Sequence, residues 1–230
     1  MAIHESDDSL VLLFGQPGGL AEPIAAALRR GGKPVAHEHP TCSAPSGPPR
    51  SAHHEAPGIS TAGPPRPIES AIVIVDVLAT ESLFALGDRR SRRRRKACEN
   101  DICGVAVATV VSRAAGSVVL VCDARTLSFG RRVRALRWLR HAAHRIAYQS
   151  AVNGVDGLVT AYGAVGTDRD VDRVAAGIVT WLSIAEPTAR AARSAPSPSM
   201  PREADHQHTR RRRRSRAARH LTGAGTLRAA

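Results

Sequence analysis

Short apolar runs that alternate with helix-like segments constrain the fold of this chain more than any other feature. Residues 10–14 (LVLLF), 71–78 (AIVIVDVL) and 116–122 (GSVVLVC) are continuous runs of mostly branched aliphatic side chains. Such runs are typical of parallel strands that are buried on both faces. Weaker strands are predicted at 33–36 and 154–161, and helices at 22–30, 100–115, 133–151 and 170–184. This alternation predicts an α/β fold, a doubly wound parallel sheet covered on both faces.

Polar segments of biased composition set the expected limits of this domain. We predict one domain over residues 10–185, because the apolar periodicity is confined to that span. A Pro-rich loop at 37–70 and a basic insert at 88–97 are expected to interrupt it as disordered insertions. The two remaining segments, 1–9 and 186–230, are predicted to be an N-terminal tail and a disordered basic C-terminal tail.

The expected location is the cytoplasm, and no membrane partner is predicted. No run of about 18 apolar residues is present, so a spanning helix is not expected. Residues 1–9 are acidic rather than basic and do not resemble a secretory signal. The four cysteines form no C-x-x-C pair, which favours reduced thiols over a disulfide framework.

A glycine-rich turn directly follows the first apolar run. Gly15 and Gly19 stand in the pattern G-x-x-x-G-x-A, which Leu20 and Ala21 complete at the start of a predicted helix. Small residues there let the backbone approach a pyrophosphate at the N-terminus of that helix. Glu38 lies about 20 residues downstream, where an acid can bind the adenosine ribose. The alternatives are a simple chain reversal at the glycines and a solvated loop position for Glu38.

The turn and later segments resemble the short-chain dehydrogenase/reductase family. The glycine spacing is similar to its T-G-x-x-x-G-[IL]-[GA] motif, with Phe14 in place of Thr. Further similarities follow in the family's order at 100–105, 116–123, 146–151, 154–163 and 170–185, so the resemblance covers most of residues 10–185. The resemblance implies a Rossmann-like fold and binding of NAD or NADP. It also implies an oligomer formed through the 133–151 helix, with Trp138 and Tyr148 as interface candidates.

The residues that transfer a proton in that family are missing from this chain. The family uses a Ser, and a Tyr with a Lys one helical turn later. Here the Ser position falls on Cys122 or Asp123, and the Tyr and Lys positions fall near Arg132 and Leu136. The resemblance therefore implies a catalytically silent subunit that binds a dinucleotide weakly or not at all and pairs with an active oxidoreductase. The alternative is an active oxidoreductase with unusual acid–base groups, for which Asn100, Asp123 and Tyr148 are the nearest candidates.

The arginine blocks suggest one further function, whereas a histidine-rich segment does not. The formal net charge is +13, and residues 89–96 and 210–219 carry much of it. These blocks are typical either of a solvated basic insert or of a surface that binds polyanions in a salt-sensitive, nonspecific way. A basic nucleic-acid-associated protein is the third hypothesis. Metal donors occur at His37, His39, Cys42, His53 and His54, but their Pro-rich setting lacks a closing Cys pair, and no metal site is predicted.

Overall fold

The fold is taken from a computed structural model that describes residues 10–38, 68–84, 86–194 and 228–229. Six strands and five helices are present in these ranges. In chain order they are β1 (Leu10–Phe14), α1 (Ala21–Arg30), β2 (Val35–Glu38), β3 (Ile68–Val75), α2 (Val77–Phe84), α3 (Arg89–Arg113), β4 (Ser117–Asp123), α4 (Phe129–Val152), β5 (Val159–Val165), α5 (Arg169–Ser194) and β6 (Arg228–Ala229).

The strands form one sheet in the order β2-β1-β3-β4-β5-β6. The first five are parallel, and β6 adds a short antiparallel pairing to β5. The register runs straight across the centre: Ile72 pairs with Leu13 on one side and with Val119 on the other. The predicted parallel α/β sheet is therefore confirmed.

Helices cover both faces of the sheet. Alternate side chains of the central strands, such as Leu13 and Ile72, pack in one apolar cluster with α1 and α5. Their neighbours, such as Leu12 and Ala71, pack in a second cluster with α2, α3 and α4. Since successive side chains of a strand point to opposite faces, a strand buried on both needs a continuous apolar run. The doubly wound, Rossmann-like architecture follows from those runs.

The basic block was expected to be a disordered insert, and this expectation is wrong for residues 89–96. Asp88 caps α3 by accepting a hydrogen bond from the Ser91 backbone N–H at 2.7 Å, so the helix begins at Arg89. Arginine is a good helix former, and a capped helix can therefore include the whole block. Arg95 fixes the block to α2 by donating a 2.7 Å hydrogen bond to the Leu83 carbonyl.

Other predicted boundaries shift for local reasons. The strand predicted at 71–78 ends at Val75, because Asp76 accepts from the Ala79 N–H at 2.8 Å and starts α2, a helix that the prediction lacked. The strand predicted at 154–161 becomes β5 at Val159–Val165, since Gly154 and Gly157 adopt positive φ angles in the preceding turn.

The domain extends beyond its predicted C-terminal limit at residue 185. Helix α5 continues to Ser194, and β6 pairs with β5, although both segments fall in the predicted disordered tail. The remainder of that tail, the segment 1–9 and residues 39–67 of the Pro-rich loop lie outside the described residues. Within the described ranges, no helix is both long enough and apolar enough to cross a bilayer.

Candidate functional site

A pocket of about 490 Å³ lies at the carboxyl ends of the central strands. Two segments border it: the glycine turn between β1 and α1, and the first turns of α2 after β3. From β1 the chain crosses to α1 on one face, whereas from β3 it crosses to α2 and α3 on the other. In open α/β sheets, ligands bind at such a reversal point, outside the carboxyl ends of the strands.

The glycine turn forms one wall of the pocket through its backbone. Gly15 is buried, and a Cβ atom there would lie 3.2 Å from the Ile74 Cβ, so any side chain would push against β3. Gly18 and Gly19 have φ angles of +86° and +52°, a left-handed region that favours glycine, with open space around both. Leu20 and Ala21 also line the pocket, although their side chains are largely buried in the core. The predicted cofactor residues of the turn therefore lie together.

The start of α1 can offer only part of the usual phosphate site. Its N-cap residue, Leu20, has no side-chain cap, and the Ala21 N–H already bonds to the Gly18 carbonyl at 3.0 Å. Pro23 has no N–H group, and Glu22 places a negative charge in the first turn. A helix N-terminus attracts anions, but an acid in the same turn offsets part of that attraction.

Glu38 lies at the expected edge of the sheet without reaching the pocket. It is the last residue of β2, and it pairs with Phe14, the residue just before the glycine turn. It is half-buried and is not among the residues that line the pocket. This placement agrees with the position of a ribose-binding acid, at the carboxyl end of the strand beside the turn.

Two aspartates line the opposite side of the pocket. Asp76 follows β3 and is used as the cap of α2, and Asp123 ends β4 and is buried. Asp123 is one of the predicted catalytic candidates, whereas Asp76 was not predicted as a site residue. The available signal for Asp76 was its place directly after a buried strand, where parallel strands present their carboxyl ends.

Asp123 is held in a charge-assisted network. Arg125 donates to it through Nε at 2.9 Å and through Nη2 at 2.8 Å, and its Nη1 contacts Asp168 at 2.5 Å. The hydrogen bonds to Asp123, and then those to Asp168, raise the pKa of the Arg125 guanidinium above its ordinary value. Both carboxylate oxygens of Asp123 are thus occupied by a permanent cation, an arrangement that suits structural pairing and not proton transfer.

The three catalytic candidates do not share a site. Asn100 is exposed on α3, and its side-chain oxygen accepts a 2.7 Å hydrogen bond from Arg145. Tyr148 is 71% exposed near the end of α4, a helix that begins just after β4 at the carboxyl edge and runs toward the opposite edge. Of the three, Asp123 alone lines the pocket.

The positions matched to the family's Tyr and Lys carry other functions here. Arg132 donates to the Leu127 carbonyl at 2.7 Å and to the Arg125 carbonyl at 3.1 Å, so it fixes the loop between β4 and α4. Leu136, on α4, is partly buried and packs against the apolar core. Neither side chain can pass a proton at neutral pH, because arginine stays charged and leucine has no ionisable group.

A second concavity, of about 640 Å³, lies between α3 and the end of α4. Val111, Tyr148 and Val152 line it and are 48%, 71% and 67% exposed. Trp138, the other interface candidate, instead packs edge-on against Phe84 with ring centroids 5.7 Å apart and is largely buried within the same chain. Any association through α4 would therefore use Tyr148 and its neighbours.

The metal donors of the sequence analysis are mostly outside the described part. His37 is exposed in β2, whereas His39, Cys42, His53 and His54 lie outside the described residues. Among the residues that are described, no group of three or more His, Cys, Asp or Glu side chains is arranged to hold a metal ion.

Comparisons with known proteins return nothing for this chain. No protein-family profile, no curated protein and no solved structure matches it. The resemblance to the dehydrogenase family therefore depends on the motifs alone, whereas the α/β fold stands on the sheet described above.

Proposed function

We propose that this chain binds a dinucleotide, NAD or NADP, at the pocket beside the glycine turn and does not transfer a hydride by the mechanism of the family it resembles. The observation that carries the proposal is the position of the pocket. It lies between β1 and β3, where the chain crossovers change from one face of the sheet to the other, and the exposed backbone of Gly18 and Gly19 lines it. When bound, such a cofactor would supply redox chemistry to a neighbouring substrate.

The residues present fit the phosphate-bearing half of the cofactor. The glycine turn would hold the pyrophosphate through backbone N–H groups, and Glu38 would accept a hydrogen bond from the adenosine ribose. Asp76 and Glu22 place negative charge near the same turn. We therefore expect weaker binding than a site without these carboxylates would give.

The opposite half of the pocket supports the absence of turnover. Asp123 is neutralised by Arg125, and neither Asn100 nor Tyr148 lines the pocket. A general acid must lie within hydrogen-bond reach of the proton that it transfers. We expect no oxidation of NADH or NADPH with carbonyl substrates. The alternative, an active oxidoreductase with unusual groups, requires turnover that Tyr148→Phe removes.

Association with a second subunit is part of the same proposal. The concavity of Val111, Tyr148 and Val152 exposes apolar side chains that a second copy, or a homologous active subunit, would cover. A silent subunit that stabilises an active partner would retain its core and its interface without retaining its proton-transfer groups.

The test is thermal unfolding of the full chain with NADH and with NADPH, in high salt to suppress contacts through the arginines. A ligand present at about 100 times its dissociation constant raises the free energy of unfolding by about 2.7 kcal/mol. For a chain of this length that corresponds to a rise in Tm of roughly 5–10 °C.

Two glycine variants make the test specific. Gly19→Asp introduces a carboxylate into the turn and is expected to remove the shift. Gly32→Asp is the matched control: its φ is +76°, it also has open space, and it follows α1 at the opposite edge of the sheet. Loss of the shift in Gly19→Asp alone supports the proposal. A folded wild-type protein that shows no shift with either cofactor contradicts it.

A further inference from the structure

The first turns of α3 and the exposed face of α4 form a continuous positive surface. Helix α3 carries seven arginines and Lys96 against two acids, Glu99 and Asp101. Helix α4 carries six arginines and two histidines and has no acidic residue. The two helices lie side by side on one face of the sheet, with Glu99 of α3 contacting His141 and Arg145 of α4.

Most of these cations point to solvent, although Asp88, at the start of α3, attracts Arg90 and Arg94. On α3 the exposed basic residues are Arg89, Arg90, Arg92, Arg93, Arg94 and Lys96, and on α4 they include Arg131, Arg134, Arg137 and Arg140. Glu99, the acid that lies between the helices, is already shared by His141 and Arg145 at 3.1 and 3.3 Å. Burial, together with the charges of Arg92 and Arg134, lowers the pKa of the Arg95 guanidinium, so the charges of the two helices act on each other.

We propose that this surface, centred on Arg92, Arg134 and Arg137, binds the phosphate backbone of a nucleic-acid duplex without reading its sequence. Arginine accounts for nearly all of the charge, and its planar guanidinium donates two parallel hydrogen bonds to a phosphate. Binding releases condensed counterions, which gives affinity that falls steeply with salt.

The geometry favours a duplex backbone over other anionic partners. Arg134, Arg137, His141 and His144 recur at helical spacing along one face of α4, over about 15 Å. One strand of a duplex presents about four phosphates over that length. Trp138 packs inward against Phe84, so no aromatic platform is offered to unpaired bases along this row. The row itself has no exposed large apolar side chain between residues 131 and 147, but Phe129 and Tyr148 at its two ends are exposed. Insertion into a lipid surface is therefore the alternative that the vesicle comparison below tests.

The experiment measures binding of the full chain to a fluorescein-labelled duplex of random sequence by anisotropy, across a salt series. The test variant carries Arg134→Glu and Arg137→Glu. Each phosphate contact contributes about 0.9 to the slope of log affinity against log salt. Loss of two contacts should lower the slope by about two. If the variant and the wild type bind equally at 1 M salt, the variant should then bind about sixtyfold more weakly than the wild type at 0.1 M.

The matched control carries Arg29→Glu and Arg30→Glu. These arginines are exposed at the end of α1, on the opposite face of the sheet, and the net charge changes by the same amount. Both variants keep the arginines of residues 210–219, so any contribution from that block cancels. Circular dichroism and thermal unfolding check that each variant is folded, and Arg134→Gln with Arg137→Gln replaces the test variant if the reversed charges prevent folding.

The outcomes separate clearly. A loss of affinity and slope in the α4 variant with little change in the α1 variant supports the proposal. Equal losses in the two variants overturn it, because nonspecific attraction to net charge would then account for binding. The proposal is also overturned if phosphatidylserine vesicles or polyglutamate, but not the duplex, show the α4-dependent binding. The result is independent of the cofactor proposal, since the glycine turn is unchanged in every variant.

Discussion

Replacing Arg125 tests whether the charge network at the end of β4 is structural. Arg125 joins Asp123, whose side chain is 2% exposed, to Asp168, whose side chain is 88% exposed. Arg125→Met removes the guanidinium and keeps most of the aliphatic stem, so packing changes little. The buried carboxylate of Asp123 then loses the cation that occupies both of its oxygens.

Loss of the Asp123 pair and loss of the Asp168 pair should lower the free energy of unfolding by very different amounts. Breaking a buried ion pair by removing one partner costs about 3–5 kcal/mol, because the remaining charge is left uncompensated. Losing an exposed pair costs about 0–1 kcal/mol. We therefore expect Arg125→Met to lower the free energy of unfolding by about 3–5 kcal/mol and Asp168→Ala to lower it by less than about 1 kcal/mol.

Urea unfolding followed by circular dichroism measures both changes. The double variant Asp123→Leu with Arg125→Met removes both charges and should recover much of the loss, since a buried pair can often be replaced by apolar residues. Equal effects of Arg125→Met and Asp168→Ala would refute the reasoning. So would a double variant less stable than Arg125→Met alone.

Two further predictions follow from burial and exposure. Burial raises the pKa of the Cys103 thiol to about 11 and that of Cys122 to about 12, from an ordinary value of 9.0. Both thiols should therefore resist iodoacetamide at pH 8 until the chain unfolds, as mass spectrometry would detect; alkylation as fast as in the unfolded chain would contradict this. Their contribution to the free energy of unfolding should be full below pH 9 and decline as the pH rises to 12, because the unfolded chain loses these protons first. Tyr148→Arg places a charge in the apolar concavity and should shift the sedimenting species toward monomer, whereas Arg29→Glu should not; an unchanged assembly would exclude this surface.

The fold was predictable because the strong signals are continuous along the chain. The runs at β1, β3 and β4 are short, continuously apolar and rich in branched side chains, which is typical of strands in a parallel sheet that is covered on both faces. The basic start of α3 was not predictable from its charge. Its helical state depends on the Asp88 cap and on the contact of Arg95 with Leu83, which joins residues of different helices.

The candidate site was predictable on one side only. The glycine turn is local in sequence, so its residues could be assigned together before the fold was known. The ion pairing of Asp123 depends on Arg125, two residues later, and this arginine also contacts Asp168 in the loop after β5. No pattern in the sequence predicts which of several acids an arginine will pair with when the partner lies on another loop.

The parallel pairing of β1 with β3 has a consequence for the order of folding. Leu10 pairs with Ile68, so the chain must close a long loop before these strands meet, whereas β3, α3, β4, α4 and β5 follow one another directly. Doubling the length of such a loop adds only about 0.6 kcal/mol to the entropic cost of closing it. The pairing of β1 with β3 is nevertheless a non-local contact, and contacts of that kind form slowly. The β3–β5 half can therefore nucleate first, and the glycine turn takes its final shape only when β1 docks. Ribosomal synthesis runs in the opposite order, because β1 leaves the ribosome before β3. Until β3 emerges, β1 can pair only with β2, and its other edge stays open.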